Sequence, residues 1–115
     1  MLTYALKIVR IFKLPAIFID IKMSFSKESA VTRAKADLAK RLWTDESQIR
    51  LVSAEDKDFP NASLGAPVDD EMSAQMIVSG WQIILATNDE TYEYRADKYQ
   101  IRLLNYEGAN LIIES

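Results

Sequence analysis

Gly80-Trp81-Gln82-Ile83-Ile84-Leu85-Ala86-Thr87, followed by Asn88-Asp89 and then Glu90-Thr91-Tyr92-Glu93-Tyr94-Arg95-Ala96, is the stretch that decides the fold. Asn88-Asp89 tolerates left-handed backbone, as a two-residue hairpin loop demands, and the flanking runs are rich in β-branched and aromatic residues. With that loop, Leu85 lies opposite Tyr92, Ile83 opposite Tyr94 and Trp81 opposite Ala96, and all six share one face. Gln82 with Arg95 and Ile84 with Glu93 share the other. A slip by one residue would scatter the apolar set over both faces, so the pattern selects this register.

The pattern extends in both directions. A turn at Lys98-Tyr99 places Ile101 against Ala96 and Leu103 against Tyr94, which carries the apolar face onto another strand. Glu107-Gly108 marks a further turn, after which Leu111-Ile112-Ile113 has the composition of a short final strand. Upstream, a strand is predicted from about Met76 to Thr87, and an earlier one over Gln48 to Glu55, built around Ile49, Leu51 and Val52. The second face holds Ile84 and Leu104 around Glu93. That is an incomplete apolar face, open to cover by residues 1–22 or by the long loop, or a small contact patch.

Ahead of the strands, Val31, Ala34, Leu38 and Leu42 recur at intervals of three and four, with Ala30 and Ala39 alongside. Ser26 suits an N-cap and Glu28 suits the first turn, so an amphipathic helix is predicted over Lys27 to Leu42. The predicted fold is α+β: one amphipathic helix packed on a four-stranded, mainly antiparallel sheet, in a single domain spanning residues 23–115.

Composition narrows function by exclusion. The 115 residues suffice for one core, and the chain contains neither Cys nor His. Thiol nucleophiles, disulfides and zinc–thiolate sites are therefore ruled out, as are imidazole bases and ligands. No Gly-rich phosphate loop or nucleophile elbow is present. No spacing in the sequence marks out a catalytic residue, a metal site or a cofactor site, and none is assigned. Residues 1–22 carry Lys7, Arg10, Lys13 and Lys22 against Asp20, a net charge of +3, whereas the remainder carries ten basic and sixteen acidic side chains, a net charge of −6. An acidic body argues against nucleic acid, which is held by concentrated basic surface.

Residues 1–22 read as an N-terminal extension, either non-native, with Met23 the natural start, or disordered. They could instead give the body an edge strand or a covering helix. A third reading is a short basic amphipathic helix, and it offers the one route to a membrane surface. The longest uncharged run after Lys13 is Leu14 to Ile19, far short of the roughly 20 apolar residues that span a bilayer. No secretory signal is evident, so a cytoplasmic location is expected.

The loop Phe59-Pro60-Asn61-Ala62-Ser63-Leu64-Gly65-Ala66-Pro67, leading through Gln75 to Trp81, is where function is expected, because rigid loops on a scaffold commonly carry it. Pro60 and Pro67 stiffen it, and Gly65 suits backbone that other residues resist. One reading is a self-packed lid closing one end of the sheet, with Phe59 and Leu64 as inward anchors. The other is a protein-recognition surface comprising Phe59, Asn61, Ser63, Leu64, Gly65, Gln75 and Trp81. The expected function is a non-enzymatic protein-interaction or regulatory module with an unidentified protein partner. The alternative is a small hydrolase, or a Ca²⁺- or other ligand-binding domain, using the acidic loop ends Glu55, Asp56, Asp58 and Asp69, Asp70, Glu71.

Residues 27–106 resemble a small uncharacterised domain of cyanobacteria and other bacteria. The likeness rests on Ala34-Lys35-Ala36-Asp37-Leu38-Ala39, on an aromatic-Pro-x-x-Ser-Leu-Gly-x-Pro loop, on Ala74-Gln75, on Gly80-aromatic-x-Ile-x-Leu, and on Tyr92-x-Tyr94 before a basic residue. Ala66 stands where relatives often have Cys, and Arg95 where they often have His. The resemblance implies a bacterial domain of this layout and no particular reaction.

Overall fold

A computed structural model describes residues 24–115, so the expectations placed on residues 1–22 lie outside the described part. Helix α1 spans Lys27–Leu42, and a single 3₁₀ turn follows at Glu46–Gln48. The strands are β1 (Arg50–Phe59), β2 (Val78–Thr87), β3 (Glu90–Ala96), β4 (Ile101–Tyr106) and β5 (Ala109–Glu114). They form one sheet in chain order, and every neighbouring pair is antiparallel.

The class and the helix agree with the sequence reading, but the sheet has five strands rather than four. The extra member is the C-terminal strand. Glu107 (φ 52°) and Gly108 (φ 87°) are both left-handed, and that tight turn folds the Leu111 segment back onto β4 as a full edge strand. The first strand also sits later than expected. Gln48 closes the 3₁₀ turn, and β1 runs on through Asp56, Lys57 and Asp58 to Phe59, which pairs with Val78. A charged run reads as loop, yet an edge strand tolerates it, because charge there blunts unwanted pairing. Leu51 and Val52 are adjacent apolar residues because a bulge between Leu51 and Ser53 leaves Val52 unpaired.

The central hairpin has the register the side chains demand. Trp81 pairs with Ala96, Ile83 with Tyr94 and Leu85 with Tyr92, around a turn in which Asn88 and Asp89 have φ of 53° and 65°. Across the next turn, Ile101 pairs with Ala96 and Leu103 with Tyr94. Asp97 holds that turn by accepting from the backbone N–H groups of Tyr99 and Gln100.

Helix α1 starts at Ser26, whose hydroxyl accepts from the Ser29 N–H while the Ser29 hydroxyl accepts from the Ser26 N–H. Its alanine face lets it approach the sheet closely. Ala30, Ala34, Leu38 and Ala39 form one buried cluster with Ile49, Ile83, Leu85, Tyr94, Ala96, Ile101 and Leu103. One polar group enters this layer: the Tyr94 hydroxyl donates to Asp37 at 2.8 Å, and Asp37 also accepts from Arg41 at 2.8 Å. Burial and this bond push the Tyr94 hydroxyl pKa well up, so it stays a donor. Among the described residues no helix is long and apolar enough to cross a membrane.

Candidate functional site

The segment between β1 and β2 is a long connection without regular structure, and such a segment inside a compact domain needs partners for its backbone groups. It finds them on the second face of the sheet. The Gln100 amide donates to the Ala62 carbonyl at 2.8 Å, Arg95 Nη1 to the Leu64 carbonyl at 2.9 Å, Arg102 Nη1 to the Ala66 carbonyl at 3.1 Å, and the Asn110 amide to the Pro67 carbonyl at 2.9 Å. Three strand side chains, together with Gln100 in the turn between β3 and β4, thus replace the ladder a strand would supply. The segment is a lid over the face opposite α1.

Its internal folding explains its sequence. Asn61 Oδ1 accepts from the Ser63 N–H, the Ser63 hydroxyl and the Gly65 N–H at 2.8–3.1 Å, which curls the chain over one side chain. Leu64 and Gly65 then adopt left-handed backbone, with φ of 59° and 67°. A Cβ on Gly65 would lie 2.8 Å from Arg95 Nη1, so glycine is needed for Arg95 to reach the neighbouring carbonyl. Phe59, Ser63, Leu64 and Ala66 are buried. The Arg95 guanidinium also stacks over the Phe59 ring, 5.4 Å from its centroid.

A buried ion pair fastens the far end. Arg102 is only 4 % exposed; its Nη1 and Nη2 both reach the Glu71 carboxylate at 2.6 Å, and its Nε donates to Gln100 at 2.8 Å. Glu71 Oε1 also accepts from the Val68 N–H, closing a turn in which Asp70 is left-handed. The hydrogen bonds from Arg102 pull the Glu71 pKa down to about 2. Glu93 is held by Gln82 and Arg95; burial alone would raise its pKa, but these bonds outweigh it and the net shift is downward.

The residues expected to recognise a partner divide accordingly. Phe59, Ser63 and Leu64 point inward and anchor the lid. Asn61 and Gly65 are half-buried and engaged in folding it. Trp81 lies at the rim of the helix-side core, half-buried. Gln75 alone of the seven is exposed. What does reach solvent is the returning arm of the lid, where Met72 is 96 %, Met76 56 % and Ile77 74 % exposed. Trp43 is also exposed, at the left-handed C-cap of α1. The sequence reading passed over Met72 and Trp43, and it placed Met76 and Ile77 at the start of a strand that in fact begins at Val78. Met72, Ala74 and Met76 alternate with Ser73 and Gln75 as a half-buried strand would, so the residue pattern gave no signal that this arm lies outside the sheet with its apolar side chains in solvent.

The acidic loop ends do not converge. Asp56 pairs with Lys27, Asp58 accepts from Ser79, and Glu71 is committed to Arg102. Among the described residues no three His, Cys, Asp or Glu side chains are grouped to hold a metal ion.

Residues 31–104 match the model of a family described as a domain of unknown function, DUF8738. No curated protein and no solved structure matches the chain.

Proposed function

The chain belongs to the DUF8738 family, and from that premise we propose that it is a non-enzymatic protein-interaction module whose contact surface is the returning arm of the lid, Met72 to Ile77. The observation that carries this reading is the exposure of Met72, Met76 and Ile77 within six residues, with Gln75 among them. Scattered single apolar residues on a surface need no explanation, but a clustered set does. Methionine side chains adapt to irregular partners, and the arm is pre-ordered by the Glu71–Arg102 pair just before it and by its bond to the start of the lid, so little entropy is lost when a partner docks. The Ala62 N–H donates to the Ala74 carbonyl at 2.9 Å, which pins the arm to the start of the lid.

The test is capture from the native host with the full chain as bait. It compares wild type, Met72→Glu/Ile77→Glu, and a control, Lys40→Glu, on exposed helix surface away from the arm. A partner held by wild type and control but lost from the double variant is the expected result. A folded double variant that keeps every partner refutes the assignment. Asn61 is left intact because its side chain folds the lid.

A further inference from the structure

The sheet itself opens where two of its strands part, and the opening is lined from both faces, by Ile84, Glu93 and Leu104 on the lid side and by Leu42, Tyr92 and Tyr106 on the helix side. Strands β3 and β4 are in register only at Tyr94–Leu103, Arg95–Arg102 and Ala96–Ile101, although β3 begins at Glu90 and β4 runs to Tyr106. Asn105 has left-handed backbone (φ 48°) with its N–H capped by the Asn110 side chain, and there β4 leaves its neighbour. The gap is a cleft of about 680 Å³, within the roughly 300–1,000 Å³ typical of small-molecule sites. Its wall includes half-buried Ile84 and Leu104, the incomplete apolar patch visible in the sequence.

The rest of the wall has a definite chemistry. Tyr92 and Tyr106 line it with ring centroids 6.4 Å apart. Glu90, Glu93 and Glu107 line it too, and no Lys or Arg does. Glu93 is neutralised by Arg95, whereas Glu90 and Glu107 form no ion pair among the described residues. Arg41 already stands 5.5 Å from the Tyr106 ring centroid, so this aromatic wall accepts a cation within the folded protein. Aromatic faces beside uncompensated carboxylates are the combination that selects organic cations over neutral or anionic ligands.

We propose that the cleft between the diverging ends of β3 and β4 binds an alkylammonium group, seated against Tyr92 and Tyr106 and neutralised by Glu90 and Glu107. The chemistry is shared by a free polyamine and by a lysine side chain of a peptide. This site is separate from the returning arm of the lid and does not depend on the role assigned there.

Two-dimensional NMR of the full chain, titrated with spermidine and separately with a lysine derivative blocked at both backbone ends, tests the proposal. Saturable shifts at Glu90–Glu93 and Leu104–Glu107 are expected with one or both probes, and which of them binds separates the polyamine from the peptide source. The same lysine derivative acetylated on its side chain should not bind. Glu90→Gln/Glu107→Gln, both at exposed positions, should keep the wild-type melting temperature and weaken binding by about tenfold, the combined scale of two exposed ion-pair contributions. Three results overturn the proposal: no saturable shifts with either cation up to about 10 mM, equal binding of the acetylated probe, or unchanged affinity in the folded double variant.

Discussion

Replacing Glu71 with Ala strands a guanidinium. Arg102 is 4 % exposed and directs two nitrogens at the Glu71 carboxylate, both at 2.6 Å. Removing the partner of a buried charge costs about 3–5 kcal/mol when both ions are fully enclosed. Here the Glu71 side chain keeps 22 % of its surface in water, and Arg102 retains the Gln100 and Ala66 acceptors, so about 2–4 kcal/mol is expected. That is a large share of the roughly 5–15 kcal/mol stability of a small domain. Urea unfolding at pH 7, read as a change in midpoint at constant slope, measures it. Arg102→Met with Glu71→Ala should recover part of the loss, since the uncompensated charge then leaves with the pair. The pH dependence carries a sign. The folded pKa of about 2 lies below the usual carboxylate value of 4.5, so the Glu71 contribution is complete above about pH 4.5 and fades as the pH falls towards 2. The Glu71→Ala deficit should therefore shrink in acid. A deficit below about 0.5 kcal/mol at pH 7, the range of ordinary surface changes, would refute the reasoning.

Three further outcomes are expected. Gly80→Ala places a Cβ 2.1 Å from the Ala96 carbonyl oxygen, a backbone clash that only separation of β2 from β3 relieves, so thermal unfolding should show a loss above about 3 kcal/mol. Ser73→Ala should be neutral or stabilising by up to about 1 kcal/mol in the same assay, because the Ser73 hydroxyl is shielded from water with no hydrogen-bond partner in the structure. A chain begun at Met23 should melt within about 2 kcal/mol of the full chain, since residues 24–115 already enclose a contiguous core.

What the sequence disclosed follows from how local each signal is. The hairpin register, the helix and the turn at Asn88-Asp89 are set by neighbours in the chain and by period-two alternation, so they were legible. The lid was legible in its stiffness and its inward anchors, Phe59 and Leu64. Its fasteners were not. Arg95, Gln100, Arg102 and Asn110 sit on what alternation marks as a solvent face, and their partners are carbonyls 31–43 residues away. A backbone carbonyl leaves no trace in residue identity. For the same reason Arg102 read as a surface charge and Glu71 as one of an acidic pair of loop ends, although they meet each other. The fifth strand was half-visible, because Leu111-Ile112-Ile113 has strand composition but is too short to show a period.

The central claim is that the segment from Pro60 to Ile77 is an ordered lid, held by side chains of the sheet, that presents Met72 to Ile77 outward. Native-state hydrogen exchange of the full chain tests this most directly, read at the amides of Ser63, Leu64, Gly65 and Ala66. Each of these donates a hydrogen bond within the lid. The account predicts that these amides open with free energies within about 1–2 kcal/mol of global unfolding, and that Glu71→Ala lowers them together. Exchange at the rate of an unstructured peptide, with the strand amides of β2 and β3 still protected, contradicts it.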